Sequence, residues 1–276
     1  MSGDRYDIDG ITPHEGLRNP VIDQLVRHKS VRSFEPGRPL EEGVIETMLT
    51  AAQSAPNSSN FQSWSVIVIE DPERKAQLMQ LCDNQAFIGE SSVFLVFCAD
   101  ASRHKYVTDR QGYPFNSDYL ELLLVSSFDS MLAVQNASTA AESLGLGCCM
   151  VGAIRNKARE VAKLLKLPPL CYATVGLAVG YPARDTKVKP RLPQQVIVHR
   201  EEYSTAALEE GIQAYDAKMA NTGIYEGRRI NIPGVTPEVE PEHYGWLEHT
   251  ARRMARGNDF RRDLAPFLTE HGFTLK

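Results

Sequence analysis

The chain has 276 residues, is 42% hydrophobic and 24% charged, and sets 30 Lys and Arg against 35 Asp and Glu for a formal net charge of −5. Such a chain can build one large core or two modest ones, and its mildly acidic balance argues against a nucleic-acid partner, which needs a basic face. No apolar run approaches the roughly 18 residues of a membrane span, and the polar, acidic opening MSGDRYDIDGITPHEG is no signal or transit peptide.

Residues 1–18 show no period and read as an arm or loop. Asn19 and Pro20 then supply an N-cap and a first helical position. Val21, Ile22, Leu25 and Val26 share one face of the short helix that follows, and its exit is RHKSVRSFEPGRPL. A second helix fits LEEGVIETMLTAAQSA, with Val44, Ile45, Met48, Leu49 and Ala52 as its buried stripe and Pro56 as its stop. SWSVIVIED reads as a strand and DPERKAQLMQLCD as a helix opened by Asp71 and Pro72. SSVFLVFCAD is apolar throughout, the mark of a central strand.

The longest helical pattern covers 117–145, where Leu120, Leu123, Leu124, Phe128, Met131, Leu132, Gln135 and Ala140 recur at helical spacing. It is apolar around much of its circumference, which suits a core or interface helix, and the glycines of SLGLG suit a left-handed C-cap. CCMVGA then reads as a strand, NKAREVAKLLKLP as a helix broken by Pro168, and CYATVGLAVGYP as a second buried strand. A helix near 205–220, an irregular Gly-, Pro- and Glu-rich stretch over 223–243, and two terminal helices near 242–256 and 259–271 complete the chain. Interleaved strands and helices predict an α/β or α+β sheet with helices on both faces. The helix-strand-helix-strand order over 117–180 favours a parallel crossover.

No nucleophile-base pair or GxSxG elbow is visible, so no catalytic side chain is assigned. No two His, Asp or Glu residues stand at ligand spacing beside a third, and Cys82, Cys98, Cys148, Cys149 and Cys171 lack CxxC spacing, so no metal site is assigned either. Buried thiols in a reducing cytoplasm are the simpler reading of those cysteines. GLGCCMVG follows a helix and opens a strand, the reverse of the dinucleotide fingerprint. Four polar clusters remain. The first is His28, Lys29, Ser30 and Arg32; the second is Asn57, Ser58, Ser59, Asn60 and Gln62, after a helix-ending proline; the third is Gln85 alone. The fourth is KVKPRLP, where Pro190 keeps its neighbour extended and places Lys189 and Arg191 on one side. The two basic clusters are either solvated turns or two halves of an anion site.

In this order, HKSVRSF, AAQSAPNSSNFQSWSVIVIEDPERKAQL, VFLVFCADASRH, AVQNASTAAESLGLGCCMVGAIRN, LLKLP, GLAVGYP and KPRLPQQVIVHREEY resemble the flavin-dependent nitroreductase family. The nearest likeness is to its oxygen-insensitive NAD(P)H nitroreductase and flavin reductase subgroup. The resemblance covers residues 20–220. It implies an α+β fold with a central mixed sheet flanked by helices on both faces. It also implies one domain over 1–276, in which 221–276 form an excursion and a helical extension that wraps a partner in a homodimer.

The same resemblance implies bound FMN at the dimer interface. His28, Lys29, Ser30 and Arg32 would hold its ribityl chain and phosphate, with Lys189 and Arg191 closing on the phosphate and one ring edge. Arginine grips phosphate through paired charge-assisted bonds, whereas lysine acts as a point charge. Asn57, Ser58 and Ser59 match a loop reaching across from the partner subunit, and Gln85 matches a side chain on the pyrimidine edge. Val151, Gly152 and Ala153 match a strand end whose backbone lies against the ring, with Ala153 standing where glycine is common. Arg228 and Arg229 match arginines that receive the extra phosphate of NADPH, with Gly223 where another arginine is expected; NADPH is favoured over NADH. The implied reaction is a ping-pong transfer from NAD(P)H to nitroaromatics, quinones or related small electrophiles in two-electron steps. The alternatives are a reductase releasing free reduced flavin and a non-catalytic flavin sensor.

Overall fold

A computed structural model describes residues 3–14, 16–116, 119–238, 241, 243–257 and 261–275. Its helices begin with α1 (Arg5–Asp9), α2 (Pro20–Val26), α3 (Val44–Gln53), α4 (Pro72–Leu81), α5 (Phe87–Glu90) and α6 (Ser102–Arg110). They continue with α7 (Glu121–Ser143), α8 (Ala158–Leu165), α9 (Gln194–Ile197), α10 (Leu208–Ala220), α11 (Trp246–Ala255) and α12 (Leu264–Glu270). The strands are β1 (Trp64–Ile69), β2 (Val93–Asp100), β3 (Gly147–Val151) and β4 (Cys171–Gly180), in the order β1-β2-β4-β3. The strands and the longer helices expected from periodicity are present. The predicted starts of three helices, at 117, 242 and 259, lie outside the described residues.

Two local expectations are corrected. The 1–18 segment is not all loop: Asp4 caps α1, accepting from the amides of Tyr6 and Asp7, while Asp7 returns the bond in a capping box. The helix-strand-helix-strand run does not make a parallel crossover, because β3 and β4 pair antiparallel. The reason is length. Val151, at the end of β3, lies opposite Gly176, so the first five residues of β4 extend past it, and a short 3-10 turn and α8 bring the chain back around that end. The sheet gains its parallel element elsewhere, from a bridge between Ser30 and Cys148.

The chain sorts into two compact units, each built from separated segments. One comprises 28–186 and 260–276 and the other 1–27 and 187–259. The first holds the sheet, with β2 and β4 buried along their whole length. On one side Phe94, Val96, Cys98 and Ala178 pack with Leu78, Ile88 and Val161; on the other Leu95, Phe97 and Leu177 pack with Met48, Ala133 and Ala137. A third cluster joins Tyr172 and Leu170 to Phe267, Leu268 and Phe273, so the last segment completes this unit's core. In the second unit, Tyr215 and Met219 of α10 and Tyr244 are buried. There Asp216 accepts from the Leu247 amide at 2.7 Å and so caps α11.

Helix α7 turns small and polar residues inward: Ser126, Asp129, Ser130, Ala133, Ala137 and Ser138 are buried. Leu124, Phe128, Met131 and Leu132 instead lie 37–58% exposed. The same inversion affects α2, where Val21 and Leu25 of the expected buried face are exposed.

Candidate functional site

In the sheet-bearing unit the segment after α2 runs along the free edge of β3. Val31 donates its amide to Cys148 O at 2.9 Å, Glu35 to Tyr181 O at 2.9 Å, and Ala183 to Ser33 O at 3.0 Å. Val31 is buried, and its neighbours Ser30 and Arg32 are half-buried and exposed respectively, as alternation about Val31 requires; Phe34, past the bridge, is buried in its turn. Gly147 permits the approach: a Cβ there would fall 2.8 Å from the Val31 side chain. Ser30 and Arg32 are thereby displayed on a backbone fixed at the β3 edge, with His28 and Lys29 immediately before it. Lys29 Nζ reaches Asp185 at 2.8 Å, and this bond and charge hold the Asp185 carboxyl below the usual range. His28 Nδ1 meets Glu142 Oε1 at 2.6 Å. Arg32 is exposed and makes no hydrogen bond or ion pair among the described residues.

Val151, Gly152 and Ala153 follow at the end of the same strand β3. Arg261 donates to Gly152 O at 3.0 Å and, through Nε, to Asn156 Oδ1 at 3.0 Å. Arg155, bonded to Thr174 O, is pushed below its ordinary value by burial and then by the charge of Arg261. The methyl of Ala153 packs against the core cluster of Val151 and Ile154. Gln85 sits in a tight turn where Asp83 and Asn84 have φ of 60° and 53°, and its amide is turned back onto Cys82 O at 2.9 Å. Asn156 donates to Asp83 Oδ2 at 2.5 Å, joining that turn to the end of β3.

Asn57, Ser58 and Ser59 are not brought together with the cationic segment in one chain. Their loop leads into β1, at one edge of the sheet, while 28–32 lie outside β3 at the other, four strand spacings or roughly 19 Å away. The loop is held by residues that no sequence pattern singles out. The buried carboxylate of Asp129 accepts from the amides of Ser58 and Ser63, both at 3.0 Å. Arg103 donates to Gln62 O at 2.7 Å and Trp64 O at 2.6 Å, and His104 bonds Phe61 O at 2.8 Å. These contacts hold Ser59, Asn60 and Gln62 at φ of 50–55°, a left-handed region that costs non-glycine residues energy. Asn57 Oδ1 is buried without a hydrogen-bond partner among the described residues.

In the second unit, α1 anchors the Lys189–Arg191 segment. Arg5 donates to Lys189 O, and Asp9 Oδ1 accepts from the Arg191 amide at 3.1 Å. Burial and then the charge of Arg191 push Arg5 below its ordinary value. Asp9, 3.4 Å from the Arg5 guanidinium, opposes that shift and partly balances the two guanidinium charges. The sequence signal for this anchor was the Asp4/Asp7 capping pair. Arg228 and Arg229 are exposed, and the Arg229 guanidinium lies 5.4 Å from the Tyr244 ring centre. Arg229 also lines a cavity of about 300 Å³ with Asn221, Tyr225, Glu226, His243 and Tyr244. At Gly223 the backbone has φ +66°, which favours the glycine found there over arginine.

The helix-flanked sheet, with a cationic segment bridged to one edge and a tethered polar loop on the other, defines an α+β protein. Residues 25–181 match the Nitroreductase family and 189–276 match its C-terminal domain, and the chain belongs to this family. It is 38% identical over 216 residues to the FMN reductase (NAD(P)H) of Bacillus subtilis (strain 168), covering 77% of this chain and 85% of that protein. It is 34% identical over 255 residues to the oxygen-insensitive NADPH nitroreductase of Salmonella typhimurium, covering 92% and 96%. The solved structure of the hypothetical oxidoreductase YcnD from Bacillus subtilis superposes with a TM-score of 0.84 at 33% identity, over 94% of this chain and 100% of that one.

Proposed function

We propose that this protein is an FMN-dependent oxidoreductase that takes hydride from NAD(P)H and delivers two electrons to a small electrophilic acceptor. The observation that carries the reading is Arg32, exposed and unpaired on a backbone fixed by the β3 edge, with His28, Lys29 and Ser30 beside it. This donor set fits a phosphate monoester: a guanidinium able to give two parallel bonds, an ammonium, an imidazole and a hydroxyl. The buried, unpartnered oxygen of Asn57 likewise fits a ligand donor. Bound FMN supplies the two-electron redox chemistry.

In this reading His28, Lys29, Ser30 and Arg32 grip the phosphate and ribityl chain, Gln85 addresses the pyrimidine edge, and the Val151–Ala153 backbone faces the ring. Lys189 and Arg191 are assigned to the same cofactor from the sequence resemblance. Arg228 and Arg229 take the additional phosphate of NADPH. A second copy of the chain completes the site, with Asn57–Ser59 serving the partner's flavin. Their position on the edge opposite 28–32 and the exposed apolar row of α7 support this. Five buried free cysteines suit a reducing cytoplasm.

Absorption spectra of the purified protein, recorded before and after anaerobic NADPH and then NADH, test the reading. Flavin bands that bleach on reduction support it, whereas a protein left colourless by FMN incubation refutes it. Yellow protein that no nicotinamide bleaches favours the non-catalytic sensor. The names of both relatives leave two acceptors open, nitroaromatics and free flavin, and turnover compared on a nitrofuran and on free FMN separates them.

A further inference from the structure

The predicted phosphate residue His28 is bound from behind by a side chain assigned no role so far. Glu142, near the C-terminal end of α7, places Oε1 2.6 Å from His28 Nδ1, and its side chain is only 10% exposed. The same oxygen lies 3.6 Å from Cys148 Sγ, and Ser138 Oγ stands 3.0 Å from that sulfur. Burial, then the negative charge of Glu142, push the Cys148 thiol up to about 12, so it stays a protonated donor to the carboxylate. Cys148 is also the residue paired with Ser30 and the acceptor for the Val31 amide. The carboxylate, the thiol and the cationic strand therefore form one connected unit.

We propose that Glu142 is a positioning residue for the flavin phosphate, acting through His28. With Nδ1–H donated to Glu142, the ring is held in one orientation and Nε2 is the nitrogen left to face an anion. A carboxylate behind the imidazole also balances a ring carrying protons on both nitrogens, the form that donates from Nε2 to phosphate. This inference rests on the FMN reading. It adds a specificity: Glu142 serves recognition of the phosphate and not of the isoalloxazine ring.

The experiment titrates the full-length protein, cleared of flavin, with FMN and with riboflavin, which lacks the phosphate, following flavin fluorescence. Glu142→Gln keeps the side chain's size and an acceptor for Nδ1–H while removing the charge. It is expected to raise the FMN Kd about tenfold, within the range for a charge-assisted bond, and to leave the riboflavin Kd within twofold. In the His28→Ala background the same substitution should change the FMN Kd by less than twofold, because the two residues act as a pair. Equal losses for both flavins, or an undiminished effect without His28, overturn the proposal. So does an unchanged FMN preference in Glu142→Gln, and the FMN reading then stands. Wild-type protein that binds FMN no better than riboflavin removes the phosphate reading and this inference with it.

Discussion

In the sheet-bearing unit the candidate cations of 28–32 stand on a backbone fixed by main-chain bonds to β3 and to Tyr181. In the other unit, the Lys189–Arg191 segment belongs to no strand and is fixed by the side chains of Arg5 and Asp9. The first arrangement separates frame from function: a displayed side chain can be removed while the ladder persists. The second makes the frame itself depend on side chains, those of Arg5 and Asp9 with Tyr215 on Pro190 O, so stability and binding are harder to separate there. Loop 57–63 is the exception within the sheet unit, since Asp129, Arg103 and His104 hold it from outside.

The largest effect should come at that exception. Asp129→Ala leaves the buried Ser63 amide and the more exposed Ser58 amide without their acceptor, and should cost about 2–4 kcal/mol in urea unfolding. A loss under about 1 kcal/mol would show that the loop is held without it. Next, Arg32→Ala should weaken FMN retention about ten- to a hundredfold, the range for charge-assisted bonds. Its Tm should stay within about 2 °C, since an exposed side chain leaves the ladder intact; a protein that purifies fully yellow contradicts the assignment. Asp9→Ala should do what Arg32→Ala does not, lowering stability by about 1 kcal/mol and FMN retention together. Unaltered FMN retention would erase the contrast between the two units.

The smallest effect is a pH dependence with a contributor in each unit. Burial pushes His271 in the sheet unit below its ordinary value. Burial and then Arg253 do the same for His249 in the other. A lowered folded-state value means the unfolded chain takes up protons first as pH falls. Stability from these groups is therefore full above the ordinary histidine value of 6.5 and is lost as pH drops below it toward each folded value. Nε2 of His271 is buried with no hydrogen-bond partner among the described residues, and backbone hydrogen bonds at Pro168 and Cys171 only partly offset the desolvation. Tm should fall modestly between pH 7.5 and 5.5, and less in His271→Gln; an identical slope in the variant would remove His271 from the account.

Much of this fold was legible in local pattern. Continuous apolar runs announced β2 and β4, Asn19 and Pro20 announced α2, and Gly145, with φ +78°, ends α7 as the SLGLG run suggested. What stayed hidden depended on partners distant in sequence. The inward face of α7 is mostly small and polar, with Leu123 of the expected stripe and Val134 beside it, because close packing on the sheet favours Ala and Ser over most of the larger residues that periodicity picks out. Glu142 stands 114 residues from His28, and Asp129 stands 71 from Ser58, so no spacing rule pointed to either. The antiparallel turn of β3 into β4 depended on relative strand lengths, which apolar runs define poorly at their ends.

The chain's return to its first unit also constrains how the protein is made. Phe267, Leu268 and Phe273 fill the core beside Tyr172, and Leu170 donates its amide to His271 O at 2.7 Å. A ribosome releasing residues 28–186 has exported a sheet whose third hydrophobic cluster still lacks its cover, with the whole of 187–259 to be synthesised first. During that interval the apolar surface around Leu170 and Tyr172 is a natural docking point for a chaperone. Chains lacking 261–275 would keep that surface open, making the arrival of this segment, rather than of the sheet, the step that closes the unit.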